Sequence, residues 1–287
     1  MDTSVENRLY TVVGATSTVG SAIVERLTAA GHRVRPVSRA AGVSLDDTSA
    51  LRDAFAGADG AFVMIPFDWA ASDLHERERE IGEKLADAVR AANVRRVILL
   101  SGLNAPLKKG TSLGAALMED RLNALAISEL LHLRAGFFME NFQKGLAFAA
   151  QAESGSFATP FRGDRPMPMI ASRDVGVVAA DLLTATSFPA SKVRELHGAG
   201  DYTLAQTTAI LGNALGKRDV EYVQVPLDAA RAGMLETGMS TSFADAVIET
   251  ARSFNDEERW AVETRNAGNT TPTTLEQWAR EAFGSAA

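Results

Sequence analysis

Gly14 and Gly20 stand six residues apart in Thr11-Val12-Val13-Gly14-Ala15-Thr16-Ser17-Thr18-Val19-Gly20, between an apolar run and a helical pattern. A strand that enters a glycine turn and opens a helix leaves backbone N–H groups pointing outward, where they favour an anion such as the pyrophosphate of a dinucleotide. Gly14 allows the tight turn, and Gly20 lets the helix pack close to the sheet. The middle position of the G-x-x-G-x-x-G spacing is Ser17. Its side chain stands where backbone approaches the phosphates. It either crowds the ligand or offers its hydroxyl to a phosphate, as Thr16 and Thr18 can, with Val19 completing the loop. An ordinary glycine-rich turn is the competing reading, and the flanking strand and helix argue against it.

Arg39 follows the second predicted strand. A carboxylate at this point would bind the ribose 2′-hydroxyl of NAD, but Val37–Gly42 holds none, and the first acid is Asp46. An arginine pairs instead with the 2′-phosphate of NADP, or is a solvated surface residue. Its place relative to Gly14 favours NADP(H). Ser101, at the end of a strand, is the residue placed to orient a substrate carbonyl, and a strand-end serine bonding local backbone is its alternative. Glu140 and Asn141 can reach a ligand, while Asn141 equally caps a helix beginning near Phe142. Phe137, Phe138, Met139 and Phe142 read as core, or as the lining of a pocket for an aromatic ligand.

Other groups point elsewhere. His32, His75, His132 and His197 are scattered without metal-ligand spacing, so no metal is expected. His132, inside an apolar strand pattern, reads as structural. The charge run His75–Glu80 reads as a solvated helix face laced with local ion pairs. A tyrosine followed four residues later by a lysine would supply an acid for carbonyl reduction. The chain has three tyrosines, Tyr10, Tyr202 and Tyr222, and none has that lysine. The window Thr111–Asp120, where the pair would lie, holds no tyrosine, lysine or histidine.

Elements must hold these residues in place. Apolar runs at Leu9–Val13, Arg33–Ser38, Ala61–Pro66, Val94–Leu100 and Leu130–Arg134 alternate with helical stretches at Thr18–Ala30, Thr48–Phe55 and Asp73–Ala92. This alternation implies an α/β fold with a doubly wound parallel sheet. Pro36 weakens the second strand, because it cannot donate a ladder hydrogen bond. Later, Phe157–Met169 carries three prolines and a glycine and reads as a loop. Asp174 is expected to cap a helix over Asp174–Thr184. Thr203–Gln206 and Thr274–Gln277 are capping boxes, and Ser242–Asp245 starts another helix. A late strand covers Val220–Val225. The helix around Ala115–Ala126 offers a surface for a homodimer. The composition divides the chain into a dinucleotide-binding part, residues 1–153, and a mainly substrate-binding part, residues 154–287, with segments near 170–197 returning to the first sheet.

The 287 residues are 46% hydrophobic and 23% charged, as in an ordinary globular protein. A formal net charge of -7 argues against direct nucleic-acid binding. The absence of cysteine excludes disulfides, thiol catalysis and cysteine-ligated zinc. Met1–Arg8 is polar and acidic, with no signal-peptide pattern, and no apolar run is long enough to cross a membrane, so a cytoplasmic location is the default expectation.

Several blocks resemble the NmrA-like group of atypical short-chain dehydrogenases: the Gly14–Gly20 turn, Arg39, Ala58–Pro66, Val94–Ser101, Leu133–Phe142, Ser172–Val175 and Leu211–Lys217. The resemblance implies a Rossmann-like domain with a smaller C-terminal α+β domain, the two enclosing a cleft. It implies NADP over the glycine turn with Arg39 at the 2′-phosphate. It also implies cofactor contacts from Pro66 and Phe67, and a nicotinamide and substrate pocket near Phe137–Asn141, with Phe138, Glu140 and Asn141 lining it. Two functions follow from it. One is an NADPH-dependent reductase of a small quinone-like or aromatic carbonyl compound. The other is a non-catalytic, redox-sensing regulator that acts through a protein partner. The missing tyrosine and lysine keep both open.

Overall fold

A computed structural model describes residues 7–284. The polar, acidic start of the chain, up to Glu6, lies outside the described residues. The first half runs β1 (Leu9–Val13), α1 (Thr18–Ala29), β2 (Arg33–Val37), α2 (Thr48–Phe55), β3 (Gly60–Val63), α3 (Leu74–Ala91), β4 (Arg96–Gly102), α4 (Leu113–Asn123) and β5 (Glu129–Ala135). It continues through β6 (Phe137–Phe138), α5 (Phe148–Ala152), β7 (Ser156–Thr159), β8 (Met167–Ile170), α6 (Ser172–Thr184), β9 (Val193–Leu196) and β10 (Gly200–Tyr202). The last elements are α7 (Leu204–Ala214), β11 (Glu221–Gln224), α8 (Leu227–Glu236), α9 (Thr241–Asn255) and α10 (Leu275–Phe283).

Six strands form one sheet in the order β2-β1-β3-β4-β5-β9, parallel throughout. Strands buried on both faces need apolar residues at successive positions, which Leu9–Val13 and Arg96–Leu100 largely supply. Successive side chains alternate between the faces. Val12, Phe62, Ile98 and Leu131 therefore meet Ile23 and Leu27 of α1 and Val175 and Ala179 of α6. Val13, Val63 and Leu99 meet Leu51 and Phe55 of α2, Leu85 of α3 and Met118 of α4 on the other side. A third core joins Phe142, Phe148, Phe157, Met169, Phe254 and Trp278 around the three-stranded sheet β10-β8-β6 and the pair β11-β7.

The direction in which strands are added changes at β1: β2 lies to one side of it, and β3, β4 and β5 lie to the other. In open parallel sheets a ligand crevice forms at such a switch, beyond the carboxyl ends of the strands. Gly14 leaves β1 there, and Met64 leaves β3 there.

Several sequence expectations are met by local chemistry, and others are not. Both capping boxes form, at Thr203–Gln206 and Thr274–Gln277. Pro36 is accommodated because β2 is an outer strand, so its missing N–H leaves no ladder bond unmade. Phe157–Met169 is not one loop, since β7 and β8 occupy its ends. Asp174 does not cap α6, which starts at Ser172 after Ala171. The Asp174 carboxylate instead accepts from the Thr273 amide at 3.0 Å and the Thr273 hydroxyl at 2.8 Å. Ser240, not Ser242, caps α9. The Ser242 hydroxyl accepts from the Leu74 amide and ties α9 to the start of α3. The charge run is laced with ion pairs, such as Arg77 with Asp46 at 2.6 Å, but Glu78 is buried, 2.8 Å from His75 Nδ1.

Gly20 has no room for a side chain: a Cβ there would fall 2.7 Å from the Gly14 carbonyl carbon and 2.9 Å from Ala15 Cα. Gly20→Ala should therefore lower stability by roughly 3 kcal/mol, the upper part of the overpacking range, because the obstacle is backbone. Urea unfolding measures this, and a loss below about 0.5 kcal/mol would contradict it.

Burial holds His132 and His197 below their ordinary value of 6.5. The unfolded chain takes up protons first as pH falls through about 6.5, so the native state is favoured above that pH and loses stability below it. The slope is up to about 1.4 kcal/mol per pH unit for each histidine. Urea midpoints should fall between about pH 7.5 and pH 5.5, and less steeply in His132→Asn. A pH-independent midpoint would be the contrary result.

Candidate functional site

The turn after β1 is held by its neighbours. The Gly14 and Ala15 amides donate to the Val37 carbonyl at 2.9 and 3.4 Å, fastening the turn to the end of β2. Gly14 adopts φ +72, a left-handed conformation that favours glycine. Ser17 caps α1, accepting from the Gly20 amide at 3.0 Å, with φ -73 and ψ 162. That backbone suits any residue, so glycine is not needed at Ser17 on conformational grounds. The Ser17 hydroxyl also lies 3.9 Å from Met64 Sδ. Thr16 and Thr18 are exposed, and Val19 is buried beneath them. The Thr18 and Val19 amides begin α1, where no carbonyl one turn earlier is available to them, so they remain for an anion.

Arg39 starts a short 3-10 turn, Arg39–Ala41, two residues beyond the carbonyl that holds the glycine turn. It is exposed, and among the described residues its guanidinium makes no hydrogen bond or ion pair, while its carbonyl accepts from the Gly42 amide. A guanidinium with all five N–H groups uncommitted beside an anion cradle fits a phosphate.

Met64, Ile65 and Pro66 continue from β3 and are half-buried, with Met64 packed under Gly14. Phe67 and Trp69 are the next large residues, 51% and 46% exposed. Both rings lie 6.0 Å from Phe243 of α9. The loop after β3 is thus pinned to α9 by one aromatic cluster and by the Ser240 amide donating to the Trp69 carbonyl.

Ser101 is buried near the end of β4, and its hydroxyl donates to Glu119 Oε1 at 2.6 Å. Glu119 is also buried and accepts from Arg134 Nε at 2.9 Å and Nη2 at 2.5 Å. The only proton of the Ser101 hydroxyl is committed to this carboxylate. The expectation that Ser101 orients a carbonyl by donation therefore does not fit its geometry, and neither does a bond to local backbone. Glu119 and Arg134 were missed in the sequence. The readable signal was position: Ala116, Glu119 and Leu122 recur every three residues, and all are buried against the sheet.

Phe138 is half-buried and packs against the first core. The Glu140 carboxylate accepts from the Ser172 amide at 3.0 and 3.2 Å, so it is committed to the start of α6 rather than free for a ligand. Asn141 sits inside the 3-10 turn Met139–Phe142, half-buried, and caps no helix.

All three tyrosines are placed away from acid chemistry. Tyr10 lies within β1, edge-on to His32 at 5.3 Å. Tyr202 Oη lies 3.4 Å from Glu276. Tyr222 donates to the Phe161 carbonyl, and its Oη lies 2.6 Å from Thr159 Oγ1. Burial raises each phenol, Tyr222 to about 12, the reverse of what a proton-exchanging tyrosine needs. Among the described residues no group of three or more acids or histidines could hold a metal ion. Among the described residues no helix is long and apolar enough to cross a membrane.

Known proteins share this architecture. An NADPH-dependent quinone oxidoreductase from Escherichia coli, solved with NADPH, superposes with a TM-score of 0.73 at 20% identity, over 96% of this chain and all of that one. A triphenylmethane reductase from Citrobacter sp. gives 0.75 at 17% identity, over 96% of this chain and 99% of that one. In sequence, an NAD(P)H azoreductase from Xenophilus azovorans is 30% identical over 264 residues, 83% of this chain and 84% of that protein. The family model described as NmrA-like matches residues 6–279. The chain belongs to the NmrA-like family.

Proposed function

We propose that this protein is an NADPH-dependent reductase of a small, planar, conjugated acceptor such as a quinone or an azo compound. The observation that carries the reading is the uncommitted Arg39 guanidinium beside the Gly14–Gly20 turn, at the switch point of the sheet. The family relative named for azoreductase activity with NAD(P)H supports it. In this reading the Thr18 and Val19 amides and the hydroxyls of Thr16 and Thr18 hold the pyrophosphate, and Arg39 holds the 2′-phosphate. Pro66 and Phe67 flank the dinucleotide. Residues 1–153 carry most of this binding surface, and residues 154–287 most of the acceptor surface.

NADPH, when bound, supplies the hydride, and the chain has only to orient donor and acceptor. Phe67, Trp69 and Phe138 offer apolar and aromatic surface to a flat acceptor. The reduced acceptor takes one proton from solvent, because the phenols are held neutral and distant and the Ser101 proton is held by Glu119. A quinone or azo acceptor suits such a site better than a simple ketone, since the anion left by hydride addition is delocalised over the conjugated system and needs no acid in the same step, whereas a ketone gives a localised alkoxide that does. Ser101, Glu119 and Arg134 then act as a rigid floor that joins β4, α4 and β5 under the reacting groups.

Arg39→Ala should weaken NADPH at least tenfold while changing NADH little, since a lost charge-assisted pair is worth about 1.5–3 kcal/mol. Melting shifts at matched cofactor concentrations read this out. Equal weakening of the two cofactors would remove Arg39 from the 2′-phosphate. NADPH oxidation should be seen with members of a panel of quinones and azo dyes. Tight NADPH binding with no turnover on any acceptor would refute the reductase reading in favour of a redox-sensing regulator.

A further inference from the structure

A cavity of about 260 Å³ lies at the opposite edge of the sheet from the glycine turn. β3, β4 and β5 separate β1 from β9, and His197, the residue after β9, lines this cavity. The walls also carry Arg165, Arg259, Arg265, Phe254 and Trp260. No residue of the Gly14–Gly20 turn, and neither Arg39 nor Ser101, reaches it.

The three guanidiniums are fixed mainly by neutral carbonyl groups. Arg165 donates to the carbonyls of Phe254 and Glu258, the latter at 3.0 Å, and lies 4.6 Å over the Phe254 ring. Arg259 donates to the carbonyls of Ala261 and Val262 at 2.8 and 2.6 Å. Arg265 donates to the Gly198 carbonyl and to the Asp201 carboxylate. A carbonyl holds a guanidinium in place without cancelling its charge, and each arginine keeps N–H groups unused. Arg265 is neutralised by Asp201, whereas Arg165 and Arg259 form no ion pair among the described residues. Glu263 also lines the cavity, so three cations face two carboxylates. The buried Glu195 carboxylate, which accepts from the Val262 and Glu263 amides of the same wall, is a third, so the charges balance and what remains is two guanidiniums, Arg165 and Arg259, that no carboxylate binds. His197 Nε2 is buried without a hydrogen-bond partner, 3.7 Å from Glu195 Oε2.

We propose that this cavity is a second ligand site, separate from the dinucleotide turn, for a small aromatic monocarboxylate. The three carboxylates around the cavity disfavour a multiply charged anion, and a guanidinium that no carboxylate binds, Arg165 or Arg259, can receive one carboxylate in two parallel hydrogen bonds. Trp260, Phe254, Pro166 and Pro168 line the cavity and supply its apolar contacts for a ring. The volume is below the usual range for drug-sized ligands, which limits the occupant to about one ring.

Calorimetric titration of the full chain with benzoate, in saturating NADPH, tests the proposal, with acetate and inorganic phosphate titrated separately. Benzoate should bind saturably at one site, and acetate and phosphate at least tenfold more weakly. Arg259→Met should weaken benzoate at least tenfold and leave the NADPH melting shift unchanged. Arg259 is exposed and bonded only to carbonyls two and three residues on, so its loss spares the core. Arg165→Met, the second variant, should weaken benzoate as well. Absence of saturable benzoate binding would overturn the proposal. So would phosphate binding as tightly as benzoate, or wild-type benzoate affinity in both variants.

Discussion

The close approach of α1 to the turn that precedes it governs the geometry of the whole cofactor end. Gly20 packs directly over the Gly14 carbonyl, at a separation that a single methyl group would break. The other flank of α1 uses the same device. A Cβ on Gly176 of α6 would fall 2.5 Å from the Val19 carbonyl oxygen and 2.7 Å from Ala22 Cβ. α1 is therefore clamped between the turn and α6 by two positions that lack side chains, Gly20 and Gly176. Its start, with the free amides of Thr18 and Val19, points at the switch of the sheet because the helix has no freedom to roll. The Gly14 and Ala15 amides then bind the Val37 carbonyl, so the same clamp fixes where the chain leaves β2 and where Arg39 stands.

The middle glycine of the spacing is dispensable for a reason distinct from the other two. Gly14 needs a left-handed backbone, and Gly20 needs empty space. Ser17 needs neither, since its backbone is extended and its hydroxyl faces the Gly20 amide. The serine takes over one of the orphan donors at the helix start. A phosphate would then be met by the remaining amides and by the hydroxyls of Thr16 and Thr18. The departure from the three-glycine pattern redistributes the donors of the cradle and leaves its backbone intact.

The features legible in the sequence are those carried by neighbours along the chain. The glycine turn, both capping boxes and the alternation of strands with helices rest on contacts within a few residues. Features that depend on distant partners were misread or missed. Asp174 looks like a helix cap, but its partner is Thr273, brought close only when α10 docks. Glu140 looks like a ligand residue, but the start of α6 claims it. Glu78 sits in a run of six alternating charges, and only the packing of α3 on α4 beside Gly114 buries it. In each case the side chain has two plausible uses, and tertiary packing chooses between them.

The Ser101–Glu119–Arg134 network shows how such packing can change the chemistry of a site. A serine at the end of β4 would ordinarily be free to donate to a substrate oxygen. Here parallel pairing places Arg134 directly beside Ser101, and α4 lowers Glu119 between them. A buried carboxylate needs a compensating charge and hydrogen bonds, and Arg134 and Ser101 provide them. Once that need is met, the serine proton is held below the site rather than presented to it. The end of β4 is therefore rigid, and the Ser101 hydroxyl has no free proton to offer there.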